Sequence, residues 1–90
     1  MTPEQRQQLL DEVQRGDKAL KAYDFFIKDF IERKKSVLFD KFKTIGIEQT
    51  DNILEIKRMA ITLDSMDVEI TSLIDTGKMA AKTLADDNES

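Results

Sequence analysis

The chain contains no cysteine and no histidine. The first absence rules out disulfide staples and a thiol nucleophile, and the second removes the most versatile general acid–base group. Together they remove the usual zinc ligands. Tryptophan is missing as well, and only three glycines and one proline punctuate the 90 residues. No apolar run approaches the ~18 residues that a membrane-spanning helix needs, and the opening MTPEQRQQLL is too polar for a secretory signal. A chain of this length makes one small domain, near the size at which a single core is marginal. These absences lead to the expectation of a soluble cytoplasmic protein with no cofactor, no metal, no membrane partner and no catalytic residue.

What is present points to long helices. Charged residues make up 36% of the chain, and apolar positions recur with helical spacing. The net charge of −4 is uneven: residues 1–27 sum to −1, residues 28–58 to +2 and residues 59–90 to −5. No block is basic enough to make nucleic acid the default partner.

Thr2-Pro3-Glu4-Gln5 reads as a helix start, with Thr2 as N-cap, Pro3 in the first turn and Gln5 closing a capping box. No breaker follows until Thr44-Ile45-Gly46-Ile47, where Gly46 fits a left-handed C-terminal cap. Thr50, Asp51 and Asn52 offer caps for a second helix, with Glu55 three residues beyond Asn52. The expected fold is all-α: a single domain spanning residues 1–90, formed by a long antiparallel two-helix coiled-coil hairpin. Its first helix covers about 2–45, its turn 46–50 and its second helix about 51–85. An acidic tail, 86–90, opposes the helix dipole and is expected to fray.

Two rows face each other when the chain folds at Gly46–Ile47. The first holds Leu9, Val13, Gly16, Leu20, Tyr23, Ile27, Phe30, Lys34 and Val37. The second holds Ile56, Met59, Leu63, Met66, Ile70, Leu73, Gly77, Ala80 and Leu84. This register pairs Gly16 with Gly77, so both glycines are expected at a close helix crossing. It follows that the Arg15-Gly16-Asp17 triplet lies within a helix rather than on an adhesion loop.

The helices carry more apolar surface than one seam can bury. One stripe of the first helix holds Leu9, Val13, Leu20, Ile27, Ile31, Leu38, Phe42 and Ile45. A neighbouring stripe holds Ala19, Tyr23, Phe26, Phe30 and Val37, and the two together span roughly 160° of the helix circumference. On the second helix Leu54, Ile61 and Val68 repeat every seven residues behind the seam. The hairpin is therefore expected to assemble into a four-helix bundle or larger homo-oligomer. Its self- or partner contacts would be Phe26, Ile31, Leu38, Phe42, Leu54, Ile61 and Val68.

The functional expectation is a non-catalytic protein–protein interaction protein: an assembly factor, chaperone-like adaptor or small structural subunit whose partners are itself and another protein. Asp64, Asp67, Glu69 and Asp75 read as a solvated outer face of the second helix, and Lys34 as a seam lysine snorkelling to water. Two alternatives come from other classes. A small acidic inhibitor or decoy, in the style of short helical proteins that phages encode, would occupy a basic site on a target. An oligomer could also bind nucleic acid through the basic turn region, with Arg33, Lys35, Lys41 and Lys43 as polyanion contacts.

Overall fold

The computed structural model describes residues 1–89, as two antiparallel helical limbs joined by a short turn. The first limb is one continuous rod built from α1 (Pro3–Ala22), a π-helical turn (Tyr23–Ile27) and α2 (Lys28–Thr44). The second limb is α3 (Thr50–Glu89). The hairpin measures 64 × 22 × 16 Å, so it presents two broad faces and two narrow edges.

The expected N-terminal box forms: Thr2 Oγ1 accepts from the Gln5 backbone N–H at 3.1 Å. Gln5 Oε1 accepts in return from the Thr2 N–H at 2.9 Å. Two of the first turn's orphan donors are thereby satisfied. The turn departs from expectation. No glycine has a positive φ, and the chain leaves α2 through Ile45 in extended conformation, φ −72° and ψ 136°. The Gln49 N–H then donates to the Gly46 carbonyl at 3.0 Å, closing a reverse turn that needs no left-handed residue. α3 starts at Thr50, where the Gln49 carbonyl accepts from the Ile53 N–H. At the other end α3 does not stop near residue 85 but continues to Glu89. Neither glycine nor proline follows Leu84, and extending an existing helix adds one backbone bond per residue. Ser90 lies outside the described residues.

The seam has two different halves. At the open end Gly16 and Gly77 are buried against each other, as the pairing of the two rows predicts. A methyl built on Gly16 would lie 2.7 Å from Gly77 Cα, so the absence of side chains lets the two backbones meet. Ile74, Ala80 and Leu84 are buried around this crossing.

Beyond the π turn the seam rotates. Ile31 and Leu38 are buried, at 3% and 8% exposure, whereas Phe30, Lys34 and Val37 are exposed. The π turn inserts one residue into the helical repeat, marked by the Lys28 N–H bonding the Tyr23 carbonyl five residues back. One extra residue turns the following helix by about 100° relative to an uninterrupted one. Lys34 would otherwise stand in the seam, where an ammonium group costs several kcal/mol unless it is paired. Opposite this stretch α3 turns Ala60 and Asp67 inward in place of Met59 and Met66, continuing the row that buries Ile74 rather than Leu73 at the glycine crossing. Within α2, Ile31 and Leu38 form the seam, and Phe30 and Val37 are turned outward.

Candidate interaction surfaces

The rotated seam lays apolar residues on both broad faces. On the first face Phe26 and Phe30 stack with ring centroids 5.6 Å apart, and Lys34 Nζ sits 5.5 Å from the centre of the Phe30 ring. Phe30, Val37, Leu38, Met59 and Leu63 line a groove of about 370 Å³ between α2 and α3. Lys34, Lys41, Glu55 and Arg58 are the charged residues of its lining. Met66 and Leu73 follow Met59 at seven-residue intervals, so they continue the same edge of α3. All six of Phe26, Phe30, Val37, Met59, Met66 and Leu73 are exposed.

The second face opens on the other side of Leu38. Its groove, about 540 Å³, is lined by Phe39, Phe42, Ile53, Ile56 and Ala60, with Lys35, Lys57 and Asp64 among them. Leu54, Ile61 and Val68 lie exposed along its outer border on α3. Lys35 Nζ reaches across to Asp64, and that hydrogen bond holds the Lys35 ammonium above the ordinary lysine range. Further along, the Tyr23 hydroxyl donates to Asp67 Oδ1 at 2.7 Å. The bond and the neighbouring carboxylate charge raise the Tyr23 pKa above its usual value.

The expected contact residues therefore separate into three groups. Phe26 belongs to the first face; Phe42, Leu54, Ile61 and Val68 belong to the second. Ile31 and Leu38 are buried in the hairpin's own seam, with Leu38 forming the floor that the two grooves share. Asp67 is half-buried rather than on a solvated outer face, while Asp64 is exposed as expected but reaches Lys35 of the other limb. Both bridge the limbs, Asp67 to the Tyr23 hydroxyl and Asp64 to Lys35. Phe30, Val37, Met59, Met66 and Leu73 were assigned to the seam by periodicity and prove to be surface. The signal that could have placed them is Lys34, whose charge disfavours the row it belongs to.

The four candidate polyanion contacts do not converge. Arg33 pairs with Asp29 at 2.7 Å on its own helix, and Lys35 pairs with Asp64 on the second face. Lys41 borders the first groove. Lys43 lies 3.5 Å from Asp40 and 4.9 Å from the Phe39 ring centre. Among the described residues no group of three or more acidic residues is arranged to hold a metal ion, and no helix is long and apolar enough to cross a membrane. The chain matches no protein-family model, no curated protein and no solved structure.

Proposed function

We propose that this hairpin is a non-catalytic interaction protein of the cytoplasm, an assembly factor, adaptor or small structural subunit that works by burying its broad faces against further helices. One observation carries the reading: none of the chain's five phenylalanines is buried, and their exposure runs from 37% to 90%. Isolated apolar residues are ordinary on a protein surface. Four of these five, however, join methionine, valine, leucine and isoleucine neighbours in continuous fields beside two grooves, and such fields favour a partner. The hairpin's own core is correspondingly thin, with Ile31, Leu38, Ile74, Ala80 and Leu84 as its buried apolar side chains among the described residues. A second layer of helices would supply the burial that a domain of this size otherwise lacks.

Absolute mass by light scattering across a hundredfold dilution tests the reading. A particle of two or more chains that persists on dilution is the expected result. A stable, soluble monomer would remove self-association. The faces would then await a foreign protein, and the acidic half of the hairpin would favour the inhibitor that occupies a basic site.

A further inference from the structure

The charges of the first groove are spaced as regularly as its apolar side chains. Phe30 and Val37 stand seven residues apart on α2, and so do Lys34 and Lys41. Seven residues make about two helical turns, roughly 10.5 Å, and return a side chain to within about 20° of its starting direction. The edge of α2 that borders the groove therefore carries two parallel rows, one apolar and one basic, both exposed. Across the groove Met59 and Met66 repeat the apolar row on α3 at the same interval.

The basic row is uncompensated. Three basic residues, Lys34, Lys41 and Arg58, line the groove against one acidic residue, Glu55, so its net charge is +2. Arg58 already lies 3.5 Å from Glu55, which leaves the excess on the two lysines. Among the described residues neither ammonium has a carboxylate partner, and Lys34 Nζ rests over the Phe30 ring instead.

A ligand that answers a seven-residue repeat of both apolarity and charge is itself a helix. A small carboxylate would engage one of the two ammonium groups. An extended peptide, rising about 3.3 Å per residue, would meet the repeat every third residue, where successive side chains point to opposite sides. A helix laid along the groove meets it with residues i and i+7 on one face. We infer that the first groove receives an acidic amphipathic helix of another protein, its apolar row against Phe30, Val37 and Met59 and its carboxylates beside Lys34 and Lys41. This rests on the reading that the hairpin buries its broad faces against further helices, and it adds the class of partner for one of them.

A second copy of the chain suits this groove poorly. Set groove on groove, two copies would bring six basic residues against two acidic ones, net +4. Like charges placed together across an interface suppress that pairing, whereas an acidic helix neutralises the same two lysines. Length is adequate: from Phe26 to Lys41 the face runs about 22 Å, room for about four helical turns.

The probe is a synthetic peptide of about 18 residues, five helical turns, with leucines at the a and d positions of a heptad and glutamates at e and g. One companion peptide carries lysines in place of the glutamates, and another carries the original residues in scrambled order. Binding to the full chain is read by fluorescence anisotropy, with circular dichroism and light scattering on the protein alone. The acidic peptide is expected to bind saturably, the lysine peptide at least about tenfold more weakly, and the scrambled peptide not at all. Lys34→Glu with Lys41→Glu is expected to weaken the acidic peptide about tenfold and to tighten the lysine peptide. Lys21→Glu with Arg33→Glu makes the same charge change outside the groove and should alter neither affinity by more than about threefold. Equal binding of the acidic and lysine peptides would overturn the charge selection, and no binding of either to the folded chain would overturn the groove. A lower mass for the Lys34 and Lys41 variant without peptide would place a second copy in the groove and overturn the choice of occupant. If that variant failed to fold, the three peptides on the original chain would still decide. A monomeric chain that binds the acidic peptide keeps this inference and loses self-association; an oligomer that binds none of the peptides does the reverse.

Discussion

Gly16→Ala is the most direct probe of the helix crossing, because two known effects oppose each other there. In an unobstructed helix, alanine in place of glycine stabilises by about 1 kcal/mol. Here the added methyl would lie 2.7 Å from Gly77 Cα and 2.9 Å from the Leu73 carbonyl oxygen. Both obstacles are backbone, so neither can rotate away. Restoring an ordinary carbon–carbon contact of about 3.5–4.0 Å forces the limbs apart by roughly 1 Å. A gap of that size forfeits a quarter to a half of the dispersion attraction across it, and Ile74, Ala80 and Leu84 share the loss. Overpacking of this kind costs about 1–3 kcal/mol, which exceeds the propensity gain. The expected net effect is destabilisation by about 1 kcal/mol, or roughly 4–8 °C in Tm for a domain of this size. Urea denaturation followed by circular dichroism measures it, at matched protein concentration because association would shift the midpoint. Gly77→Ala should cost slightly less, since its methyl meets the Glu12 carbonyl oxygen at 3.1 Å and Gly16 Cα at 2.8 Å. Gly46→Ala is the control: its methyl meets only the movable Glu48 carboxylate, and stability should barely change. If Gly16→Ala were more stable than the original chain by the full propensity gain, the close crossing would not exist.

Further expectations follow from the π turn, the interhelical tyrosine, the seam and the second face. Deletion of Phe25 should remove the extra residue and leave Ile31 and Leu38 in the seam of an uninterrupted helix. Cooperative unfolding should survive it with a loss under about 1 kcal/mol, whereas deletion of Ser36 should expose Leu38 and abolish it; the reverse ranking would dismiss the insertion account. The single tyrosine gives a clean absorbance titration, and its midpoint should lie above the ordinary value of about 10 and return toward it in Asp67→Asn. The sign follows: this contribution to stability is complete below the unfolded tyrosine pKa and disappears as pH rises through the raised folded value. Leu38→Ala should cost about 2–5 kcal/mol in chemical denaturation, as expected for the side chain that separates the two grooves. Ile61→Asp with Val68→Asp places two charges on the second face and should dissociate an assembly that buries it; an oligomer of unchanged mass by light scattering would show that this face is not covered.

The phase of the first limb separates what local signals reveal from what they conceal. Thr2 and Gln5 announce the helix start because the capping box is made by residues three apart, and no distant partner is needed. The turn between residues 45 and 50 is equally legible, although its form was not, because Gly46 permits a left-handed cap without requiring one. Gly16 and Gly77 were found as a pair because two glycines in mid-helix are costly unless they face each other. The π turn left no local trace in YDFFI, a stretch whose residues also suit an α-helix. Two apolar rows, Phe30–Val37 and Ile31–Leu38, lie one residue apart on that limb, and periodicity ranks them almost equally.

By itself, then, the sequence determined the class of fold, the place where the chain reverses and the level at which the backbones touch. Those outcomes depend on backbone propensity, capping and the cost of glycine, all of which act within a few residues. Only the tertiary structure decided which row became the core. That choice depends on packing Ile31 and Leu38 against the other limb, on moving the Lys34 charge out of the seam, and on the Tyr23–Asp67 and Lys35–Asp64 ties across it. The same choice turned phenylalanine and methionine outward and so created the faces on which the proposed function rests.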